Sequence, residues 1–301
     1  MKILLTGSNG LVGGGLIRLI GDGSDGLICT ARQKTAGNYP SFEYLDIRDT
    51  ARMKYLLDLY EPDVLINAAA MSKPDVCEKH KTEAYQTNYQ AVANMADACF
   101  ERGIYLLHLS SDFVFDGTTG LYSEEDKPSP VNYYGNTKLM AENYLLQKPV
   151  KAGIVRTVLV YDSPQSSRAN IVGWIVNSLK QHKQIQVVND QFRTPTLVDD
   201  LAEGLIKLMT GKKEGIWHIS GDEYLSVYDF ACRTADAFNL NKKLISPTTS
   251  AQLAQPARRP PKTGFRITKA MRELNYHPHN IAQGLTVIKN RMDLSARSVN
   301  Q

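Results

Sequence analysis

The chain has 301 residues, with 35 Lys and Arg against 31 Asp and Glu, and 43% of its residues are hydrophobic. This composition is that of an ordinary globular protein and excludes a collagen-like, mucin-like or largely disordered chain. The formal charge of +4 is dispersed along the chain. Because a nucleic-acid-binding face needs a concentrated basic stripe, we expect no nucleic-acid partner.

The first half of the chain alternates short apolar runs with longer stretches of helical spacing. The predicted elements are, in chain order, a strand at Ile3–Thr6, a helix at Leu11–Ile20, a strand at Leu27–Ala31, a helix at 49–60, a strand at Val64–Asn67, a helix at 82–100 and a strand at 104–109. Strands that alternate with helices predict right-handed crossovers and a parallel sheet covered on both faces. We therefore predict an α/β fold with a Rossmann-like, doubly wound parallel sheet.

The second half is less regular, with helices predicted at 170–182, 197–209 and 226–238 and a loop at 246–263. We expect an NAD(P)-binding domain at residues 1–160 and a smaller C-terminal substrate-binding lobe at residues 161–301, with a soft boundary. Asp199 and Asp200 are interpreted as acids in the first turn of a helix. Trp174 is predicted to belong to the core, and His108 and His218 are predicted to be buried core histidines.

A glycine-rich loop joins the first predicted strand to the first predicted helix. It reads Thr6-Gly7-Ser8-Asn9-Gly10-Leu11-Val12-Gly13. Glycine permits a tight turn and lets backbone N–H groups approach a pyrophosphate, which then lies at a helix N terminus. The predicted dinucleotide contacts are Gly7, Asn9, Gly10, Leu11, Val12 and Gly13.

The end of the second strand bears on the choice of cofactor. NAD-selective folds place an acidic residue there to bind the ribose 2′-hydroxyl. Between Leu27 and Phe42 the chain has no Asp or Glu, but it has Arg32 and Lys34, which can neutralise a 2′-phosphate. We therefore predict NADPH as the cofactor, with NADH as the alternative.

Three polar residues follow in an order that suggests carbonyl chemistry. Tyr134 and Lys138 are four residues apart, so a helix places them on one face. A cation near a phenol lowers its pKa, which suits the phenol to proton transfer. Ser111 follows the strand at 104–109, and the carboxyl end of a central parallel strand faces the ligand crevice. We predict Ser111, Tyr134 and Lys138 as the catalytic residues, with Ser110 in a supporting role.

Longer runs carry a resemblance to a known family. They are Ser110-Ser111-Asp112-Phe113-Val114-Phe115-Asp116-Gly117, residues 130–142, Asn67-Ala68-Ala69-Ala70, Arg156-Thr157-Val158-Leu159-Val160-Tyr161, the run from Asp190-Gln191 through Pro195-Thr196, and Arg258-Arg259-Pro260. Over nearly the whole chain they resemble the dTDP-4-dehydrorhamnose reductase family, in the extended branch of the short-chain dehydrogenase/reductase superfamily. The resemblance implies an NADPH-dependent reduction of a 4-keto nucleotide sugar.

The resemblance also implies roles for further residues. It places cofactor contacts at Asp46, Ile47, Ala68, Ala69 and Lys138. It places substrate contacts at Ser111, Asp112, Phe113, Tyr134, Tyr161 and Arg259, with Arg258 and Arg259 as a clamp on the diphosphate. Asn88 lies where related reductases keep a supporting Asn, and Asn170 and Trp174 are candidates to border the substrate. A homodimer through long helices follows from the resemblance alone.

Two departures from the family pattern affect substrate recognition. Phe113 stands where the family usually carries Tyr, and Leu159 stands where it usually carries Trp. One alternative is another nucleotide-sugar enzyme on the same scaffold, although Asp112-Phe113 lacks the Asp-Glu pair of dehydratases. A second is a dinucleotide-binding regulatory subunit resembling that of methionine adenosyltransferase, which is similar over the same segments.

The cysteines, the N terminus and the hydropathy concern other classes of protein. Cys29, Cys77, Cys99 and Cys232 are scattered and form no Cys-x-x-Cys pair, so we expect neither a disulfide framework nor a zinc site. No set of His, Asp and Glu has metal-ligand spacing, so we expect no obligatory metal. The N terminus lacks the features of a signal peptide, and no apolar run approaches the ~20 residues that cross a bilayer. We expect a cytoplasmic protein without a membrane partner.

Overall fold

The computed structural model describes residues 1–21, 26–35, 39–166 and 169–299, with the side chains of residues 294–299 left aside. The strands are β1 (Ile3–Thr6), β2 (Leu27–Ala31), β3 (Ser41–Tyr44), β4 (Val64–Asn67), β5 (Tyr105–Ser111), β6 (Ala152–Thr157), β7 (Val160–Tyr161), β8 (Ile185–Val188), β9 (Phe192–Arg193), β10 (Thr196–Leu197), β11 (Gly215–His218), β12 (Leu225–Ser226) and β13 (Ile245–Thr248). The α-helices are α1 (Leu11–Ile20), α2 (Thr50–Tyr60), α3 (Pro74–Lys79), α4 (Lys81–Tyr85), α5 (Ala91–Arg102), α6 (Tyr133–Gln147), α7 (Ile171–Lys180), α8 (Val198–Thr210), α9 (Val227–Ala237), α10 (Ser250–Leu253), α11 (Thr268–Leu274) and α12 (Ile281–Val299).

Seven strands form one parallel sheet in the order β11-β6-β5-β4-β1-β2-β3. The strands β1, β2 and β4 are buried along their whole length, which explains their nearly continuous apolar sequences. The strand order reverses between β1 and β4, and in such sheets ligands bind in the crevice outside the carboxyl ends at this point. The predicted Rossmann-like sheet is confirmed.

Helices cover both faces of this sheet. On one face, α1, α8 and α11 contribute apolar side chains such as Leu16, Leu201 and Leu274 to a buried cluster. On the other face, α2, α5 and α6 form a second cluster that includes Leu56 and Leu145. Each fully buried Leu contributes about 1.5–3 kcal/mol of hydrophobic stabilisation. The two clusters therefore fix the sheet in the middle layer and leave its carboxyl edge for ligands.

Side-chain caps explain where several helices begin. Asp49, Asn170 and Ser226 accept hydrogen bonds from backbone N–H groups in the first turns of α2, α7 and α9. The helices predicted at 49–60, 170–182 and 226–238 therefore start one residue early, because their first predicted residue is the N-cap.

The long helix predicted at residues 82–100 is present, but it contains a π-helical turn that was not predicted. The segment contains α4, a π-helical stretch at Gln86–Gln90 and then α5. The π-helical stretch turns Asn88 inward, where its amide accepts from Met71 N at 2.8 Å and donates to Thr137 Oγ1 at 3.2 Å. The spacing of apolar residues does not reveal the π-helical stretch, because the helical period continues on either side of it.

The second half of the chain divides between the main sheet and a separate group of elements. β11 pairs with β6, and α8 packs in the same cluster as α1, so both belong to the central sandwich. The helices α7, α9 and α12 pack together, with the parallel pair β8 and β13 beside them.

Two predictions for this half are wrong. The loop predicted at 246–263 contains most of β13 and all of α10, because Thr249 forms a capping box with Gln252 that starts a short helix. Trp174 does not lie in the core, since 45% of its surface is exposed on α7.

In the described part of the chain, no helix is both long and apolar enough to cross a bilayer.

Candidate functional site

The glycine loop packs closely against the ends of β1 and β4. Gly7 has a φ of 72°, in the left-handed region that favours glycine. A Cβ atom at this position would lie 2.7 Å from Ala69 N and 2.8 Å from Ala68 O. Only glycine fits this turn, which brings the loop against the segment after β4 that was predicted to contact the cofactor.

The N terminus of α1 faces the crevice with its backbone donors available. Its N-cap residue is Gly10, and no side chain in the described residues caps this end. The first turn of a helix has N–H groups without helical partners, and the helix dipole favours an anion there. The loop and helix therefore fit a dinucleotide pyrophosphate, as the sequence predicted for Gly7, Gly10, Leu11 and Gly13.

The predicted 2′-phosphate ligands lie on the loop after β2. Arg32 and Lys34 are exposed, and Lys34 Nζ lies 5.7 Å from the centre of the Phe42 ring. Asn9 ties this loop to the glycine loop, because its Nδ2 donates to Gln33 O at 2.5 Å. The position of Arg32 relative to the glycine loop therefore depends on Asn9.

The acid after β3 is engaged with a neighbour. Asp46 forms a bidentate ion pair with Arg48, with a shortest distance of 2.6 Å. The hydrogen bond from Arg48 lowers the pKa of Asp46, so this carboxylate is ionised. Ile47 is buried against α2. Both residues lie where the resemblance places the adenine.

Ser111 is the last residue of β5, and a short 3₁₀ turn fixes its hydroxyl. Its Oγ accepts from Phe113 N at 3.2 Å and donates to Asp112 Oδ1 at 3.0 Å. Thr263 Oγ1 donates to the other oxygen of Asp112, and Arg193 Nε lies 3.6 Å from it. Burial raises the pKa of Asp112, and the nearby Arg193 opposes this change. Ser111 therefore belongs to a network of buried polar side chains at the carboxyl edge of the sheet, together with Asp112, Thr263 and Arg193.

Tyr134 reaches the same place from the first turn of α6. Asn132 caps this helix by accepting from Gly135 N at 2.9 Å. A Cβ atom on Gly135 would collide with the Phe113 carbonyl, so glycine lets the helix start close to the end of β5. The Phe113 ring meets the Tyr134 ring edge to face, with the centroids 5.9 Å apart.

The protonation of Tyr134 differs from the expectation. Burial raises its pKa, and the hydrogen bond to Ser111 opposes this only in part. The predicted lowering of the pKa by Lys138 is wrong for this arrangement, because the Lys138 amine is turned toward β5. The phenol is therefore protonated at neutral pH, which is the form that can donate a proton.

Lys138 is almost completely buried one turn further along α6. Its Nζ donates to Leu109 O at 2.5 Å and lies 3.2 Å from His108 Nε2. Burial lowers its pKa to about 8, with a smaller opposing effect of Glu142. An amine with this pKa changes its charge close to physiological pH, as groups that take part in proton transfer often do.

The structure brings Ser111, Asp112, Phe113, Tyr134 and Lys138 together. Arg259 lies beside this group, because the carbonyl of the preceding Arg258 accepts from the α6 cap residue Asn132 at 2.8 Å. Tyr161 lies elsewhere. Tyr161 is buried against Phe230 in the cluster formed with α12. Arg259 is held by Asp75 through a bidentate ion pair. The roles of these two residues in binding substrate stay predictions.

Sequence reasoning missed the residues that support the site from a distance. Arg193 and Thr263 lie 80 or more positions from Asp112, and His108 was interpreted only as a core residue. The runs after Asp190 and around Pro260 were noted in the resemblance, and this was their only signal. Ser110 donates to the buried Glu142 at 2.5 Å, and its supporting role stays a prediction. Among the described residues, no group of three or more His, Cys, Asp or Glu could hold a metal ion.

Comparisons with known proteins agree with this arrangement. A family model described as the RmlD substrate binding domain matches residues 1–293. A dTDP-4-dehydrorhamnose reductase from Aggregatibacter actinomycetemcomitans is 30% identical over 96% of this chain and 98% of its own length. Methionine adenosyltransferase 2 subunit beta from Rattus norvegicus is 32% identical over 83% of this chain and 76% of its own length. The crystal structure of a dTDP-4-dehydrorhamnose reductase from Bacillus anthracis in complex with NADP superposes with a TM-score of 0.84, at 26% identity, and covers 97% of this chain and 100% of the other.

Proposed function

The chain belongs to the RmlD substrate binding domain family, and from this premise we propose that it reduces dTDP-4-dehydrorhamnose with NADPH. At the coarser level it is a nucleotide-sugar reductase of the dTDP-4-dehydrorhamnose reductase type and an NADP-dependent oxidoreductase. The observation that carries the proposal is the meeting of Ser111 from β5 with Tyr134 and Lys138 from α6. These side chains lie at the carboxyl edge of the sheet, and the glycine loop lies at the same edge.

The proposed reaction divides the work among these side chains. NADPH, when bound, supplies the hydride that reduces the sugar ketone. Tyr134, kept protonated by burial, donates its phenol proton to the carbonyl oxygen as that oxygen becomes a hydroxyl. Ser111 turns its hydroxyl from Asp112 to the same oxygen and stabilises the negative charge that develops there. Lys138, one turn further along α6, would hold the ribose of the bound cofactor.

Arg32 gives a test of the cofactor choice. We expect Arg32→Ala to weaken NADPH binding by about tenfold or more, because a charge-assisted bond to phosphate contributes about 1.5–3 kcal/mol. NADH lacks the 2′-phosphate, so its affinity serves as the internal control and should not change. Titration of both cofactors by fluorescence checks this, and an equal loss for the two cofactors would contradict the assignment of Arg32.

The proposed activity is tested by NADPH oxidation with dTDP-4-keto-6-deoxy-L-mannose. We expect turnover at the 1–10³ s⁻¹ typical of enzymes, to within an order of magnitude. Because Phe113 and Leu159 depart from the family pattern, the same assay with other 4-keto deoxysugar nucleotides shows whether these departures select a different sugar. Turnover with another sugar alone would replace the rhamnose assignment.

A second function is favoured by the similarity to the methionine adenosyltransferase subunit, which is 32% identical over 83% of this chain. In that role the protein would bind the dinucleotide and associate with an unrelated enzyme. Tight NADPH binding without oxidation in the presence of any 4-keto nucleotide sugar would favour it over the reductase.

The remaining parts of the proposal concern organisation in the cell. We propose that residues 1–160 bind the cofactor, that the substrate lies against residues 161–301, and that the protein acts in the cytoplasm as a homodimer. Phe100 of α5 and Leu146 of α6, each 53% exposed, are apolar side chains that such an interface would cover.

A further inference from the structure

Segment 258–263 contacts both elements that carry the proposed catalytic residues. Its Arg258 carbonyl accepts from Nδ2 of Asn132, the cap of α6, at 2.8 Å. At its other end, the Thr263 hydroxyl donates to Asp112, the residue that follows β5. The segment therefore connects the start of α6 to the end of β5.

Arg193 of β9 holds this segment from the interior of the protein. Only 3% of its surface is exposed. One terminal nitrogen donates to Pro260 O at 2.8 Å, and the other donates to Pro261 O at 3.1 Å and to Phe192 O at 2.7 Å. Its Nε lies 3.6 Å from Asp112 Oδ2. Because backbone carbonyls fix the plane of the guanidinium, its charge has a fixed place beside this one carboxylate oxygen.

Thr263 and Ser111 hold opposite oxygens of the Asp112 carboxylate. Thr263, which is fully buried, donates through Oγ1 to Oδ2, and Ser111 donates through Oγ to Oδ1 at 3.0 Å. The backbone N of Thr263 also donates to Phe192 O at 3.1 Å, so its side chain starts from a fixed point. Asp112 is 4% exposed. Its carboxylate therefore joins Thr263 to Ser111 in the interior of the protein.

The shape of a carboxylate couples these two hydrogen bonds. Its two oxygens share one plane with Cγ, and the last torsion of an Asp side chain has a broad energy minimum. Hydrogen bonds, rather than the torsion itself, therefore set the orientation of the Asp112 carboxylate. Arg193 and Thr263 hold Oδ2, and this fixes the position of Oδ1. The hydroxyl of Ser111 takes its direction from Oδ1.

We propose that Thr263 is a positioning residue, which holds the Asp112 carboxylate so that the Ser111 hydroxyl stays in place for the substrate oxygen. Arg193 supports this arrangement by holding the same carboxylate oxygen and the segment that carries Thr263. Thr263 acts through Asp112 and Ser111 rather than on the substrate. The proposal deepens the reductase assignment and rests on it for the role of Ser111.

Thr263→Val tests this role, because valine keeps the branched shape of threonine and lacks the hydroxyl. With dTDP-4-keto-6-deoxy-L-mannose, we expect kcat for NADPH oxidation to fall by about 10- to 100-fold, as it does when a reacting group is displaced by about 1 Å. The NADPH affinity and the KM for the sugar should stay within about threefold of the wild type, since the lost bond is made to neither ligand. Thr263→Ser keeps a hydroxyl and should restore most of kcat.

Thr234 provides the matched control. It is also fully buried, and its Oγ1 donates to Phe230 O at 2.8 Å within α9. Thr234→Val removes one buried hydrogen bond and should leave kcat within about threefold. Kinetics are compared at a temperature where thermal unfolding shows both valine variants to be folded. Comparable losses of kcat in the two, an unchanged kcat in Thr263→Val, or a loss that Thr263→Ser does not restore would overturn the proposal.

Amide hydrogen exchange tests the placement of Ser111 without any need for activity. Phe113 N donates to Ser111 Oγ at 3.2 Å, so the exchange of this N–H group reports on the position of the hydroxyl oxygen. In the full-length protein we expect Phe113 to exchange about tenfold faster in Thr263→Val and at the wild-type rate in Thr234→Val. Unchanged exchange in Thr263→Val would contradict the proposal. Faster exchange in a protein that oxidises no NADPH would support it while contradicting the reductase assignment.

Discussion

Replacing Tyr134 with Phe is expected to lower kcat by about 10²–10⁴-fold, the usual contribution of a positioned acid, while NADPH binding stays nearly unchanged. The substitution removes only the hydroxyl and keeps the ring that packs edge to face on Phe113. The backbone cap by Asn132 does not depend on that hydroxyl either. The change therefore isolates proton donation from the placement of α6.

The neighbouring Tyr133 provides the matched control. It lies in the same turn of α6, with Lys81 Nζ 5.4 Å from its ring centre, and the proposed mechanism gives its hydroxyl no role. Tyr133→Phe should leave kcat within a factor of about two or three. Steady-state NADPH oxidation and cofactor titration of the two variants check the prediction. Comparable losses of kcat in both would show that Tyr134 is not the proton donor.

Removing the buried carboxylate of Glu142 is expected to destabilise the fold by about 3–5 kcal/mol, as measured by urea unfolding. Glu142 and Arg156 are each about 1% exposed and pair at 2.6 Å. Glu142→Leu leaves a buried guanidinium without its counter-charge and also removes the hydrogen bond from Ser110 at 2.5 Å. Because Ser110 precedes Ser111, we also expect a loss of activity at temperatures where the variant is still folded.

Two further variants separate the charge effect from general damage. Glu203→Gln breaks an exposed pair with Lys207 on α8, where about 0.3–0.5 kcal/mol is at stake. The double variant Glu142→Leu with Arg156→Met removes both buried charges and should be more stable than Glu142→Leu alone. A double variant that sums the two single losses would refute the account of this pair.

The sequence was sufficient to predict the fold class and four of the seven strands of the central sheet, but not β3, β6 or β11. The strands Ile3–Thr6, Leu27–Ala31 and Val64–Asn67 agree with the structure to the residue, because each is a short, fully buried apolar run. The glycine loop was also recognisable, since few residues other than glycine tolerate the φ of 72° at Gly7. Residues within each segment determine these features, so they can be predicted from that segment of the sequence alone.

Features that depend on distant contacts could not be predicted in the same way. The inward turn of Asn88 needs its partner Thr137, 49 residues away, to be explained. The burial of Asp112 beside Thr263 joins residues 151 positions apart. Lys138 Nζ likewise lies 3.2 Å from His108 Nε2, 30 residues away on β5. No pattern within one segment of the sequence predicts these contacts, because they form only when distant segments pack together.

Phe113 and Leu159, the two departures from the family pattern, lie in different surroundings. Phe113 lies against Tyr134 and beside Arg193, so the hydroxyl that it lacks would have been near the reacting groups. Leu159 lies between β6 and β7 with a φ of 36°, a conformation that side chains rarely adopt. Selection among sugars is therefore expected to depend on Phe113 first.

In the proposed reaction, a hydride passes from NADPH to the C4 ketone of a nucleotide sugar at this site. The most direct measurement is a reaction of dTDP-4-keto-6-deoxy-L-mannose with NADPH that carries deuterium at the transferred position of the nicotinamide, followed by mass spectrometry and NMR of the sugar product. We predict a single deuterium at C4 of the product, and the same label at a far lower rate with Tyr134→Phe. A reduced sugar without deuterium, or bound NADPH that stays unoxidised with every 4-keto sugar, would contradict the claim.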